Sequence, residues 1–140
     1  MLPVAVFDTN ILISALLWPR GLPFECLLLA RERRAGSVTC EEILLEFDEK
    51  LQSKFQYSAD DAHRAADEVR RLSTVVHITG SLRIVAADPA DDKVLECAAV
   101  GGATHVVTGD RKHLLPMRAF GSVTIVSAVE FVTLVASELR

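Results

Sequence analysis

Val4-Ala5-Val6-Phe7-Asp8-Thr9-Asn10 decides the fold of this chain: four apolar residues run directly into three polar ones. An unbroken apolar run of this length suits a strand buried on both faces, as in a parallel sheet, whereas a half-exposed strand would alternate. His105-Val106-Val107-Thr108 and Val123-Thr124-Ile125-Val126 repeat the pattern, Val75-Val76-His77-Ile78 gives a fourth run, and Ser37-Val38-Thr39 a shorter fifth. Between them, stretches at 10–18, 23–34, 41–54, 59–72, 89–101 and 127–138 suit helices. Strands that alternate with helices predict an α/β fold whose central, mostly parallel sheet of four to five strands is covered on both faces.

The chain has 140 residues, half of them apolar and 24% charged, with no Gly/Ser/Pro-rich or like-charge block. That suffices for one compact domain spanning 1–140, and it excludes a disordered chain. The N-terminus lacks a basic leader and its apolar run stops at Asp8, so no secretory signal or membrane span is expected and the location reads as cytoplasmic. Cys26, Cys40 and Cys97 are odd in number and form no Cys-x-x-Cys pair, which predicts buried reduced thiols rather than a disulfide framework or a zinc site. With 15 Lys and Arg against 19 Asp and Glu, net charge does not announce a nucleic-acid partner. Positive charge is local instead, in Arg31, Arg33 and Arg34 and in Arg111-Lys112-His113.

Ligands of open parallel sheets bind outside the carboxyl ends of the strands, which directs attention to the acids there. Asp8 and Asp110 both follow a strand. Thr9 or Asn10 can cap the next helix, which would leave Asp8 without a structural duty; Thr108-Gly109-Asp110 reads equally as a turn. In Asp88-Pro89-Ala90-Asp91-Asp92, capping and the helix dipole account for Asp88, Pro89 and Asp91, and leave Asp92 as the excess acid. Glu46, four residues before Lys50, matches an ordinary surface ion pair, on a helix whose Ile43, Leu44, Phe47 and Leu51 form the core stripe. None of the four histidines has metal-ligand spacing, so none is nominated. Carboxylates converging at strand ends repel one another unless a hard cation neutralises them, and oxygen donors suit magnesium or manganese. Phosphodiester hydrolysis uses what such an ion supplies.

These residues resemble the PIN domains, particularly the toxin components of type II toxin-antitoxin pairs. The likeness is carried by Asp8-Thr9-Asn10-Ile11-Leu12-Ile13-Ser14-Ala15, by Glu41-Glu42-Ile43-Leu44-Leu45-Glu46-Phe47, by Asp88-Pro89-Ala90-Asp91-Asp92-Lys93-Val94-Leu95-Glu96-Cys97-Ala98 and by Val107-Thr108-Gly109-Asp110-Arg111-Lys112-His113-Leu114-Leu115. It implies a three-layer α/β/α domain and an endoribonuclease that hydrolyses RNA with Mg²⁺ or Mn²⁺. By the same resemblance Asp8, Asp92 and Asp110 would hold metal and Glu46 would position a second ion or the attacking water. Thr9, Asn10 and Thr108 would support them, with Asp88 or Asp91 as assisting acids. Arg111 and Lys112 would take RNA phosphates, and the product would carry a 5′ phosphate. An antitoxin protein and a homodimer are the implied partners. The sequence departs from the pattern at Cys40, where a Ser is usual and the helix cap is put in doubt, and at Ala90, where an Asp is common. The competing reading is a PIN-shaped module that binds RNA or protein without cutting.

Overall fold

The structure, a computed structural model, describes residues 2–83 and 89–138. In chain order it contains β1 (Val4–Phe7), α1 (Thr9–Leu17), α2 (Leu22–Arg31), β2 (Gly36–Thr39), α3 (Glu41–Phe55), α4 (Ala59–Leu72), β3 (Thr74–Val75), α5 (Pro89–Gly101), β4 (His105–Val107), α6 (Leu114–Met117), β5 (Ala119–Phe120), β6 (Val123–Val126) and α7 (Ala128–Glu138). The strands form one sheet in the order β3-β2-β1-β4-β6-β5. All neighbours are parallel except β5 and β6.

The expected parallel sheet is therefore present, with six strands where four to five were expected. The addition is β5, a two-residue strand that pairs Ala119 with Thr124 and Phe120 with Val123. The run Val75 to Ile78 contributes less than its composition promised. Only Thr74 and Val75 form β3, at the sheet edge and exposed, although Val76 still donates its N–H to Thr39 O at 2.8 Å.

The unbroken apolar strands lie where burial on both faces requires them: Ala5, Val6, Val106 and Val107 are fully enclosed. Phe131 of α7 is equally enclosed and meets Phe7 edge to face, with ring centres 5.9 Å apart. The stripe Ile43, Leu44, Phe47 and Leu51 turns α3 toward the same core. Among the described residues no single helix is long and apolar enough to cross a membrane. All three cysteines are buried free thiols. Cys40 occupies the N-cap of α3 and makes no side-chain cap hydrogen bond, whereas Ser58 caps α4 by accepting from Asp61 N at 3.1 Å.

Helix α5 lies close on the sheet. A methyl group added at Gly101, its last residue, would stand 2.4 Å from Val38 Cγ1, and Val38 is buried within β2. Gly102 then takes a left-handed conformation, φ +65°, and turns the chain back toward β4.

Candidate active site

Parallel register brings the ends of β1 and β4 side by side, with Phe7 opposite Val107, so the residues that follow them are neighbours. Asp8 donates its N–H to Val107 O at 2.9 Å and then begins α1. Its Oδ1 accepts from Thr9 N at 2.8 Å, which makes Asp8 itself the N-cap. The expectation that it has no structural duty is thus corrected: the chain enters α1 directly from β1, and Thr9 and Asn10 already lie inside the helix.

The other oxygen, Oδ2, accepts from the Thr108 hydroxyl at 2.7 Å and from Asn10 Nδ2 at 3.4 Å. Thr108 Oγ1 in turn accepts from Asp110 N at 3.0 Å, and Gly109 N donates to Asn10 Oδ1 at 3.2 Å. Thr108 is fully buried, and its single hydroxyl ties the two strand-end acids together. Asp8 is only 7% exposed, and burial, followed by the charges of Glu46 and Asp110, pushes its carboxyl above the ordinary value against the hydrogen bonds from Thr108 and Thr9.

Asp110 is set by backbone. Its Oδ1 accepts from Lys112 N and His113 N at 3.0 and 3.2 Å, and Oδ2 from Leu114 N at 3.2 Å. Partial burial acts to raise this carboxyl, but those three N–H groups, with the charge of His113, outweigh it and hold it below the usual value.

Glu46 and Asp91 arrive on helices. Lys93 Nζ lies 2.9 Å from Glu46 Oε2, and Lys50 Nζ lies 3.7 Å from Oε1. Burial would raise Glu46, yet the Lys93 hydrogen bond, the adjoining Thr9 hydroxyl and the two ammonium charges lower it overall. Asp91, near the start of α5, is buried, and its Oδ2 stands 3.4 Å from His113 Nδ1.

Together Asp8, Thr9, Asn10, Glu46, Lys50, Ala90, Asp91, Asp110, Lys112 and His113 line an open cavity of about 310 Å³ at the carboxyl end of the sheet. Of the acids nominated from sequence, Asp8, Glu46 and Asp110 meet here. Asp92 is buried but is not among the lining residues; Asp91 lines the cavity instead. Thr9, Asn10 and Thr108 support the cluster as described. Asp88 lies outside the described residues.

Lys112 lines the cavity and Arg111 is exposed beside it. Arg31, Arg33 and Arg34 lie between the end of α2 and the start of β2, at the amino end of a parallel sheet whose acids cluster at the carboxyl end. Arg31 pairs with Glu68 at 3.7 Å and Arg34 with Glu32 at 3.8 Å, so this trio is no part of the site. Lys50, Lys93 and His113 are the site residues that sequence reasoning missed. The Glu46–Lys50 spacing is the signal the sequence offers for Lys50, but the pair it marks has a largely buried Glu46.

The family model describing the PIN domain matches residues 4–112. No curated protein sequence matches the chain. Among solved structures, the crystal structure of VapBC2 from Rickettsia felis bound to a DNA fragment from their promoter is similar with a TM-score of 0.61 and 15% identity, covering 89% of this chain and 98% of that one. PAE2754 from Pyrobaculum aerophilum is similar with a TM-score of 0.62 and 14% identity, covering 97% of this chain and 90% of that one. The matched region contains β1, the acid-bearing helices α3 and α5 and the turn at Asp110, and the chain belongs to the PIN domain family.

Proposed function

We propose that this chain is a Mg²⁺- or Mn²⁺-dependent endoribonuclease acting as the toxin of a toxin-antitoxin pair. The observation that carries the reading is the convergence of Asp8, Glu46, Asp91 and Asp110, drawn from four distant stretches of chain, on one open cavity. The donor set fits a hard divalent ion: carboxylate oxygens predominate, and Asp8 is strained by burial and by its acidic neighbours. The Thr9 hydroxyl, 1% exposed on the cavity wall, makes no well-formed hydrogen bond and adds a polar atom in want of a partner.

Asp8, Asp91 and Asp110 would hold the ion. When bound, it would polarise a phosphoryl oxygen and lower the pKa of water. Glu46, kept ionised by Lys93 and Lys50, would orient the attacking water or share a second ion. Lys112 on the cavity wall and exposed Arg111 beside it would take flanking phosphates and set the position of the RNA. The chain's own acids would otherwise repel that backbone.

An antitoxin partner, a homodimer and a cytoplasmic location belong to the same proposal. Their support is the likeness to the toxin branch, together with the fold similarity to the VapBC2 structure. A partner also has an apolar surface to cover, a hollow among α1 to α4 lined by Leu12, Leu16, Phe24, Leu27, Phe47 and Leu72. Co-expression with the product of the adjacent reading frame should give a complex in which cleavage is suppressed.

The test of the enzymatic reading is RNA cleavage by the full chain with Mg²⁺ or Mn²⁺, with and without chelator, beside Asp8→Asn. Undiminished metal-dependent cleavage by the variant would remove Asp8, and with it the site. The rival reading, a module that binds without cutting, draws on the ion pair between Lys93 and Glu46, which lets the protein neutralise part of its own acidity. Calorimetry showing no heat from either ion, with no cleavage, would favour that rival.

A further inference from the structure

His113 stands apart from the acids in chemistry but not in place. Its Nδ1 lies 3.4 Å from Asp91 Oδ2 and 3.7 Å from Asp110 Oδ2, and the ligand-capable atoms of the three residues all lie within 4.8 Å of one another. The backbone of His113 is fixed by the same carboxylate, through its N–H to Asp110 Oδ1 at 3.2 Å. An imidazolium in an ordinary charge-assisted hydrogen bond sits about 2.7–2.9 Å from one carboxylate oxygen. Here Nδ1 is within ion-pair reach of both acids, spaced similarly from the two, and in a close hydrogen bond with neither. Around an octahedral ion with bonds of about 2.1 Å, adjacent ligand atoms stand about 3.0 Å apart, so a small inward movement of three side chains would enclose a shared cation. A second, independent feature of the same cavity is the buried hydroxyl of Thr9, which lies beside Glu46 but makes no well-formed hydrogen bond and so has capacity for a polar guest.

We propose that His113 ligates the divalent ion through Nδ1, beside Asp91 and Asp110, and that this nitrogen makes the site prefer manganese to magnesium. The proposal rests on the metal-binding reading above and deepens it. Imidazole adds little to the binding of Mg²⁺, which dehydrates reluctantly and favours oxygen and water, whereas Mn²⁺, although the weakest binder of the first-row divalent ions, is a softer ion that accepts a nitrogen ligand more readily than Mg²⁺ does.

Pulsed electron paramagnetic resonance of the full chain loaded with Mn²⁺ alone, in natural-abundance and in ¹⁵N-histidine-labelled protein, reads the bond directly. A directly bonded nitrogen coupling that changes with the label is expected in the wild type. His113→Gln should lose that coupling while still binding Mn²⁺, and its Mn²⁺ to Mg²⁺ affinity ratio by calorimetry should fall by about ten-fold or more. Bound Mn²⁺ without nitrogen coupling in the wild type overturns the role of His113 and leaves the carboxylate site standing. Coupling that survives in the variant also overturns it, because the nitrogen then belongs elsewhere. Absence of Mn²⁺ binding overturns both this proposal and the metal reading beneath it. If His113→Gln fails to fold, His113→Asn takes its place, and absence of the nitrogen coupling from the labelled wild-type spectrum overturns the proposal whichever variant folds.

Discussion

Two halves of the cavity hold their acids by different means. Asp8 and Asp110, just past the ends of β1 and β4, are held by backbone N–H groups and by the Thr108 hydroxyl, groups that the main chain of β1–α1 and of the turn after β4 sets in place. Glu46, on α3, is held by the ends of two long lysine side chains. The strand-end half is built before any ligand arrives, and the Glu46 half can be rearranged at the cost of rotating a lysine. In the proposed nuclease, rigid placement of the metal-holding charges with adjustable placement of the Glu46 charge would preorganise the site.

The largest expected effect comes from breaking the rigid half. Asp8→Asn should lower metal-dependent RNA cleavage by at least about 100-fold, measured on a fluorescent RNA at fixed Mn²⁺. Next, Asp91→Asn should weaken Mn²⁺ binding by about 10- to 100-fold in calorimetry, while Asp92→Asn leaves it nearly unchanged. Equal losses in the two variants would put both acids of α5 at the ion.

The comparison also has a sign in pH. Asp8 has a folded value above its unfolded one, so the native state binds the extra proton between the two. Its contribution to stability is complete below the unfolded value and is lost as pH rises through the folded one. Metal-free Asp8→Asn should therefore melt higher than wild type at neutral pH by calorimetric scanning, and saturating Mn²⁺ should reverse the order. Glu46 has the opposite sign: its folded value is depressed, so its contribution is present above the unfolded value and is lost as pH falls through the folded one. Lys93→Met is the smallest perturbation. It should move the Glu46 carboxyl upward in a ¹³C-detected titration and leave Asp110, held by backbone, where it was.

How much of this could be read beforehand follows from range. The buried strands were legible because four apolar residues in a row have few other places to go. The strand at Ala119–Phe120 was not, since two residues carry no period and their pairing is made by the turn to Val123. Asp8 and Asp110 were legible from position at a strand end. Asp91 and Asp92 were not separable, because neighbouring acids at a helix start differ only in which way the helix is turned against the sheet. Lys93 was hidden for another reason: its partner is 47 residues away, and no local spacing records that contact.

The close seat of Gly101 on Val38 bears on what happens at the opposite end of the same helix. From Gly101 back to Asp91 is ten residues, a shaft of about 15 Å. An added methyl would have to lift the far end of that shaft away from β2, and a rod tilted at one end swings at the other. The spacing between Asp91 and its strand-borne companions is thus calibrated from a spot with no chemistry of its own, where absence of a side chain does the measuring.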